Sequence, residues 1–210
     1  ILQTLQNFLF LKLPGWDQVS EKLDRHGITN SAEWTVAFRE ILQTPQHLTI
    51  FLEQFERTGK AKEYPSYHAM LNQLWEDSVT ALEEKDLLFQ IARYSIERET
   101  TTIPRAQLDR NNDTIDMLVG KGIITKEDGK IGFRHQTLLE HAKARLFLRE
   151  DYPLCQHVIA RQQALFVRPT IWSVLQYHRI VDDQLYLKEL NDLFASDARL
   201  HVRYLLIEFL

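Results

Sequence analysis

Apolar residues recur at helical spacing through most of this 210-residue chain, and this pattern constrains the fold more than any other feature. Only 7 glycines and 6 prolines interrupt it, which is few for a loop-rich β-sandwich or barrel. The hydrophobic fraction of 44% and the charged fraction of 26% are ordinary for a globular chain and exclude a disordered one. The sequence therefore predicts a mainly α protein.

One stretch, residues 101–133, departs from the helical pattern. It follows a helix predicted over residues 84–98. The stretch itself is predicted to begin with a strand over 101–103 and a short helix over 104–108, and to continue with a helix over 114–120 that Asp113 caps. A hairpin of strands 123–125 and 130–133 around a glycine turn completes it. This order of elements is that of a winged helix.

The remaining helices are predicted from their apolar faces and end signals. They cover 16–26, about 31–43, a segment opened by Pro45, 66–81, a segment opened near Thr137, 153–164, 168–180, 183–195 and 199–210. Two capping boxes are predicted, Asn30 with Glu33 and Thr137 with Glu140. The last four helices, joined by short links, indicate repeat-like α-helical hairpins.

The two ends of the sequence lack the usual start and stop signals. The chain begins at Ile1 without a methionine, and Leu210 lies within an apolar helical stripe that has no cap. The aromatic-rich run 8–13, closed by Pro14, favours a buried strand for which the chain offers no sheet partner. These features predict a piece of a longer polypeptide.

Charge and cysteine content limit the partners and the compartment. The net charge of -4 gives no general attraction to nucleic acid or anionic lipid, and the helix that would enter a DNA groove carries Asp116 beside Asp113. The single cysteine, Cys155, cannot form an internal disulfide, and no apolar run approaches the ~18 residues of a membrane span. We therefore expect no membrane segment and a cytoplasmic location.

Motifs for catalysis and metal binding are missing from the sequence. The segment Gly59-Lys60 has Gln54 where a phosphate-binding loop needs glycine, and no G-x-S-x-G, H-E-x-x-H or C-x-x-C occurs. His135 and His141 are separated by about 600° of helix rotation, so they do not converge on a metal. His135 fits either a half-buried structural histidine or a donor to phosphate beside a helix N-terminus.

Three segments match short motifs of one protein family. Residues 133–144, FRHQTLLEHAKA, resemble the F-x-H-x-[ST]-[FL]-x-E-[YF]-x-A pattern that closes the winged-helix domain of the NACHT-type STAND ATPase family. Residues 41–48, ILQTPQHL, are similar to the lL-x-x-P-x-x-L segment of its small helical domain, and Phe166-Val167-Arg168-Pro169 looks like the start of the repeat region in bacterial members, some of them antiviral sensors.

The resemblance implies a division and a mechanism. The division is a remnant strand of a nucleotide-binding core (1–14), a small helical lid (15–64), a winged helix (65–150) and the first helical repeats (151–210). ATP or ADP would bind between the core and the lid, with Pro45 against the adenine and His135 at the phosphates. The partners would be the nucleotide-binding domain of the same polypeptide and, on activation, further copies in a homo-oligomer.

The chain lacks the phosphate-binding loop, the acidic Walker B strand and the sensor arginine of that family. The resemblance therefore implies that the chain alone is not an enzyme, although the parent protein would be an ATPase. A winged-helix transcription regulator and a purely structural helical scaffold stay open as alternatives.

Overall fold

The computed structural model describes residues 12–108, 112–161 and 167–210 and is mainly helical with one small antiparallel sheet, which confirms the predicted fold class. In these ranges the helices are α1 Trp16–Arg25, α2 Val36–Gln43, α3 Pro45–Thr58, α4 Tyr67–Ser78, α5 Leu82–Arg98, α6 Asn112–Gly120, α7 Gln136–Glu150, α8 Leu154–Ala160, α9 Val167–Val181, α10 Asp183–Ala195 and α11 Leu200–Ile207. The strands are β1 Thr102–Pro104, β2 Ile124–Glu127 and β3 Lys130–Phe133. The strand predicted over 8–13 lies outside the described residues, apart from Lys12 and Leu13, which form no regular element.

The chain divides into two compact units, Ile1–Met70 and Leu71–Leu210. In the first unit, helices α1 to α3 surround an aromatic core. Trp34, Phe38 and Phe51 pack edge to face, with ring centroids 5.1 to 5.6 Å apart. The finer division at 15–64, 65–150 and 151–210 stays a prediction.

One predicted helix start in the first unit is wrong. The Asn30–Glu33 capping box does not form: Ser31–Glu33 make only a 3₁₀ turn, and the Asn30 side chain caps nothing. Helix α2 begins at Val36 instead, because Thr35 Oγ1 accepts a hydrogen bond from the Phe38 N–H at 3.4 Å. Thr35 in turn donates to Glu63 Oε2 at 2.6 Å. A residue 28 positions away therefore fixes this helix start.

The second unit contains the predicted winged-helix order. Strand β3 lies between β1 and β2, and all pairs are antiparallel. Asp128 and Gly129 form a two-residue turn with φ of 49° and 71°, as a type I′ hairpin requires. The expected helix over 104–108 shrinks to a 3₁₀ turn, Arg105–Gln107, and α6 starts at Asn112, so Asp113 lies inside that helix rather than capping it.

Two hydrophobic clusters support the second unit. One joins α5, α6 and the sheet through Leu88, Ile115 and Ile131, and the other joins the end of α7 to α8–α11 through Phe147, Val174 and others. The four helices predicted after residue 151 are present, each within a few residues of its expected bounds.

Candidate functional site

Pro45 occupies the first position of α3 in the first unit, where its missing N–H costs the helix nothing. Its ring is exposed, and its carbonyl accepts from Thr49 Oγ1 at 2.9 Å. The structure therefore leaves the apolar face of this proline open to a planar partner.

A stacked pair of rings lies in the same part of the first unit. His47, in the first turn of α3, stacks on Tyr67 at 3.6 Å with an interplanar angle of 18°, and its Nδ1 lies 3.0 Å from the Ile41 carbonyl. Burial lowers the pKa of His47; burial and the nearby His47 lower the pKa of His68 to about 4. Both imidazoles are neutral at pH 7. The sequence analysis missed this cluster because Tyr67 lies on a different helix.

His135 is the N-cap residue of the 15-residue helix α7 in the second unit. The Leu138 N–H donates to the His135 carbonyl at 3.0 Å, so the helix begins at Gln136 and not after a Thr137 cap. The predicted Thr137–Glu140 capping box is wrong. His135 nevertheless lies where it was expected, half-buried at the junction of strand and helix.

Glu140 does not cap α7; its carboxylate instead accepts hydrogen bonds from residues of α7 and α9. Its Oε1 accepts from Gln136 Nε2 at 2.8 Å and from Lys143 Nζ at 2.9 Å, and its Oε2 accepts from Thr170 Oγ1 at 3.3 Å. The side chain is only 7% exposed, so these bonds are what keeps a buried carboxylate satisfied. The contact with Thr170, 30 residues away, could not be read from the sequence.

Arg145, on the same helix, is held between two aromatic rings. Its guanidinium carbon lies 5.1 Å from the Trp75 ring centroid and 5.6 Å from that of Tyr177. The same group donates to Asn72 Oδ1 at 2.8 Å and to Glu76 Oε1 at 2.6 Å. This one side chain therefore ties α4, α7 and α9 together.

The described residues contain no group of three or more His, Cys, Asp or Glu side chains that could hold a metal ion. His141 is buried with its ring edge-on to Trp75 and Tyr177, at 5.8 and 5.3 Å. Among the helices that the structure describes, none combines the length and the apolar character needed to cross a membrane.

The exposed side of α6 is acidic and apolar. Asp113, Asp116 and Met117 are exposed, and Lys126 Nζ on the β2–β3 hairpin lies 3.5 Å from Asp116 Oδ1. A DNA-reading helix needs free cations toward the phosphates. The exposed acidic side chains of α6 are not cations of this kind.

No protein-family model matches this chain, and neither the curated proteins nor the solved structures contain a match to it. The geometry of the described residues is thus the basis for a functional assignment. Pro45 belongs to the first compact unit and His135 to the second.

Proposed function

We propose that this chain is the regulatory lid of a STAND, NACHT-like signal-transduction ATPase, in which it closes over ADP or ATP. The observation that carries the proposal is His135, a half-buried imidazole at the N-cap of α7, directly after the winged hairpin. A helix N-terminus has a positive end and N–H donors in its first turn, so an imidazole there can join it in binding phosphate.

Pro45 supports the proposal independently. An exposed proline ring at the start of α3 is a rigid apolar surface of the kind that an adenine can stack on. In the proposed mechanism, a nucleotide-binding domain of the same polypeptide supplies the phosphate-binding loop and the magnesium ligands, and this chain supplies Pro45 and His135.

The proposed switch has two states. With ADP bound, contacts to Pro45 and His135 hold the lid closed, and loss of these contacts releases the winged helix and permits homo-oligomerisation.

The compartment that we propose is the cytoplasm, because a single cysteine gives no internal disulfide. A role in bacterial antiviral defence is part of the same proposal.

The first prediction tests the phosphate contact in the full-length protein. A hydrogen bond to a charged group contributes roughly 1.5–3 kcal/mol, so His135→Ala should speed ADP dissociation by about 10- to 150-fold. Pro45→Ala should act in the same direction with a smaller effect, because packing against a base is weaker than a charge-assisted bond. The measurement is the release of a fluorescent ADP analogue in stopped flow.

Arg134→Ala is the matched control, because Arg134 precedes His135 and is exposed. Its ADP dissociation rate should stay within about threefold of wild type, which is the size of a surface effect of ~0.5 kcal/mol. If His135→Ala released ADP no faster than wild type while Arg134→Ala released it quickly, the assignment of His135 would be wrong.

A further inference from the structure

A groove between α4, α5, α7 and α9 in the second unit combines cations with aromatic and aliphatic side chains, and we call it the Lys85 groove. Its volume is about 390 Å³, which is within the range of small-molecule sites. The lining includes three aromatic rings and three cations: Trp75, Phe89, Tyr177, Lys85, Arg145 and Arg149. Neither Pro45 nor His135 lines it, so the groove is separate from the nucleotide contacts proposed above.

The indole of Trp75 is a hydrogen-bond donor that lacks an acceptor. The residue is only 1% exposed, and its buried Nε1 has no hydrogen-bond partner among the described residues. The ring nitrogens of His178 are buried without partners too, but His178 does not line the groove. Because an unbonded N–H in a protein interior costs free energy, such a donor in the wall of a groove indicates that a ligand supplies the acceptor.

The charges around the groove are balanced except at Lys85. Arg145 donates to Glu76 Oε1 at 2.6 Å, and Arg149 Nη1 donates to Asp86 Oδ1 at 2.9 Å. Within the part of the chain that the structure describes, Lys85 forms no ion pair and no side-chain hydrogen bond, and no carboxylate lines the groove. One positive charge is therefore left without compensation, which a monoanion would match.

Two of the cations are held against aromatic rings. The guanidinium carbon of Arg145 lies 5.1 Å from the Trp75 ring centroid, and that of Arg149 lies 4.9 Å from the Phe89 ring centroid. Arg149 has five N–H donors, of which the described residues use one, for Asp86. A guanidinium held in this way loses little freedom when it binds an anion, so Arg149 is prepared to bind one.

The rest of the lining is aliphatic. Leu82, at the start of α5, is 67% exposed, and Leu148 of α7 is partly buried. Both leucines line the same groove as the uncompensated Lys85. This arrangement suits a molecule with one charged end and one apolar end, since the apolar end would remove leucine surface from water.

We infer that the Lys85 groove binds a short-chain aliphatic monocarboxylate. Its carboxylate accepts hydrogen bonds from the Lys85 ammonium group, the Arg149 guanidinium and the Trp75 indole N–H. Its alkyl chain packs on Leu82 and Leu148. The Lys85 side chain is flexible and unpaired, so it can follow the carboxylate toward Trp75.

The test is an NMR titration of the isotopically labelled full chain with sodium hexanoate at constant ionic strength. The signal of the Trp75 indole N–H is assigned by its loss in Trp75→Phe. We expect a saturable downfield shift of this signal, with a dissociation constant of about a millimolar. The indole signals of Trp34 and Trp172, which do not line the groove, should stay in place. A titration without a saturable shift of the Trp75 signal would overturn the inference.

Two further probes test the charge of the ligand. Hexanamide, which has nearly the same shape without the charge, should bind at least about tenfold more weakly than hexanoate. Hexyl phosphate, which carries about 1.5 to 2 negative charges at pH 7, should bind no more tightly than hexanoate, because its additional charge meets no uncompensated cation. Equal binding of hexanamide, or tighter binding of hexyl phosphate, would contradict the assignment to a monocarboxylate.

A matched pair of lysine substitutions locates the site. Lys85→Met removes the charge but keeps a long side chain, so it should weaken hexanoate binding about tenfold or more. Lys188→Met is the control, because Lys188 is exposed on α10 and does not line the groove. Its affinity should stay within about twofold of wild type. Hexanoate affinity that survives Lys85→Met would refute this site.

Discussion

At the residue scale, Glu84 shows how one buried carboxylate organises a junction. It is 1% exposed, and its Oε2 accepts the N–H groups of Thr80 and Ala81 at 3.0 and 3.2 Å. Its Oε1 is paired with the ammonium group of Lys121, which also donates to the Ser78 carbonyl at 2.8 Å. One side chain thereby caps the start of α5 and holds the end of α6 against it.

The second prediction is that Glu84→Gln destabilises the protein at pH 7 by about 1–3 kcal/mol, because an amide cannot replace the charge that faces Lys121. Burial alone raises the pKa of Glu84, but the bonds from Lys121, Ala81 and Thr80 outweigh burial and lower its pKa below 4.5. The measurement is urea unfolding of the variant and of wild type at pH 7.

The pH dependence has a defined sign. Since the folded pKa of Glu84 lies below the unfolded value, its stabilisation is complete above about pH 4.5 and is lost as the pH falls through the folded pKa. The difference in stability between wild type and Glu84→Gln should therefore shrink in acid. Glu83→Gln, at an exposed neighbouring position, is the control and should change stability by less than about 0.5 kcal/mol. A pH-independent difference would contradict the ion-pair explanation.

At the element scale, the β2–β3 hairpin depends on its two turn residues. Gly129 has φ of 71°, and its carbonyl accepts the Arg105 N–H at 2.8 Å, which anchors the 3₁₀ turn to the tip of the wing. The glycine is needed for its backbone angle and not for space, because a Cβ at Gly129 would meet nothing within 4 Å.

The third prediction follows from that angle. Gly129→Ala should lower the free energy of unfolding by about 1–2 kcal/mol, the cost of a left-handed alanine. Gly120→Ala is the matched control, since Gly120 ends α6 without a positive φ and also has open space around it. Chemical unfolding should give Gly129→Ala a lower free energy of unfolding than wild type, and Gly120→Ala an equal or higher one. Equal losses in both variants would show that the backbone angle is not the cause.

Elements with strong periodicity or a clear terminator could be predicted from the sequence, and elements fixed by distant partners could not. Gly27, with its positive φ, follows the end of α1, and Pro45, with its fixed φ, begins α3. Because each residue favours a helix end through its own backbone angles, both predicted boundaries are confirmed. The two capping boxes fail because Thr35 is held by Glu63 and Glu140 is held by Lys143 and Thr170.

At the scale of the whole molecule, the proposed nucleotide contacts Pro45 and His135 occur in a sequence that has no match to the phosphate-binding loop. The fourth prediction is that the purified chain releases no phosphate from ATP above a buffer control, because no segment matches the phosphate-binding loop. A malachite-green assay with magnesium provides the measurement. Phosphate release by the wild-type chain that disappears in His135→Ala would contradict this prediction.

Helix α7 connects the proposed phosphate contact to the rest of the second unit. His135 stands at its first end, Glu140 reaches Thr170 on α9, and Arg145 is clamped between Trp75 and Tyr177. From His135 to Arg145 the helix extends about 15 Å, at 1.5 Å per residue. In the proposed switch, a displacement of α9 would therefore reach His135 through a continuous helix and not through a loop, so movement of the C-terminal helices would directly weaken the proposed phosphate contact.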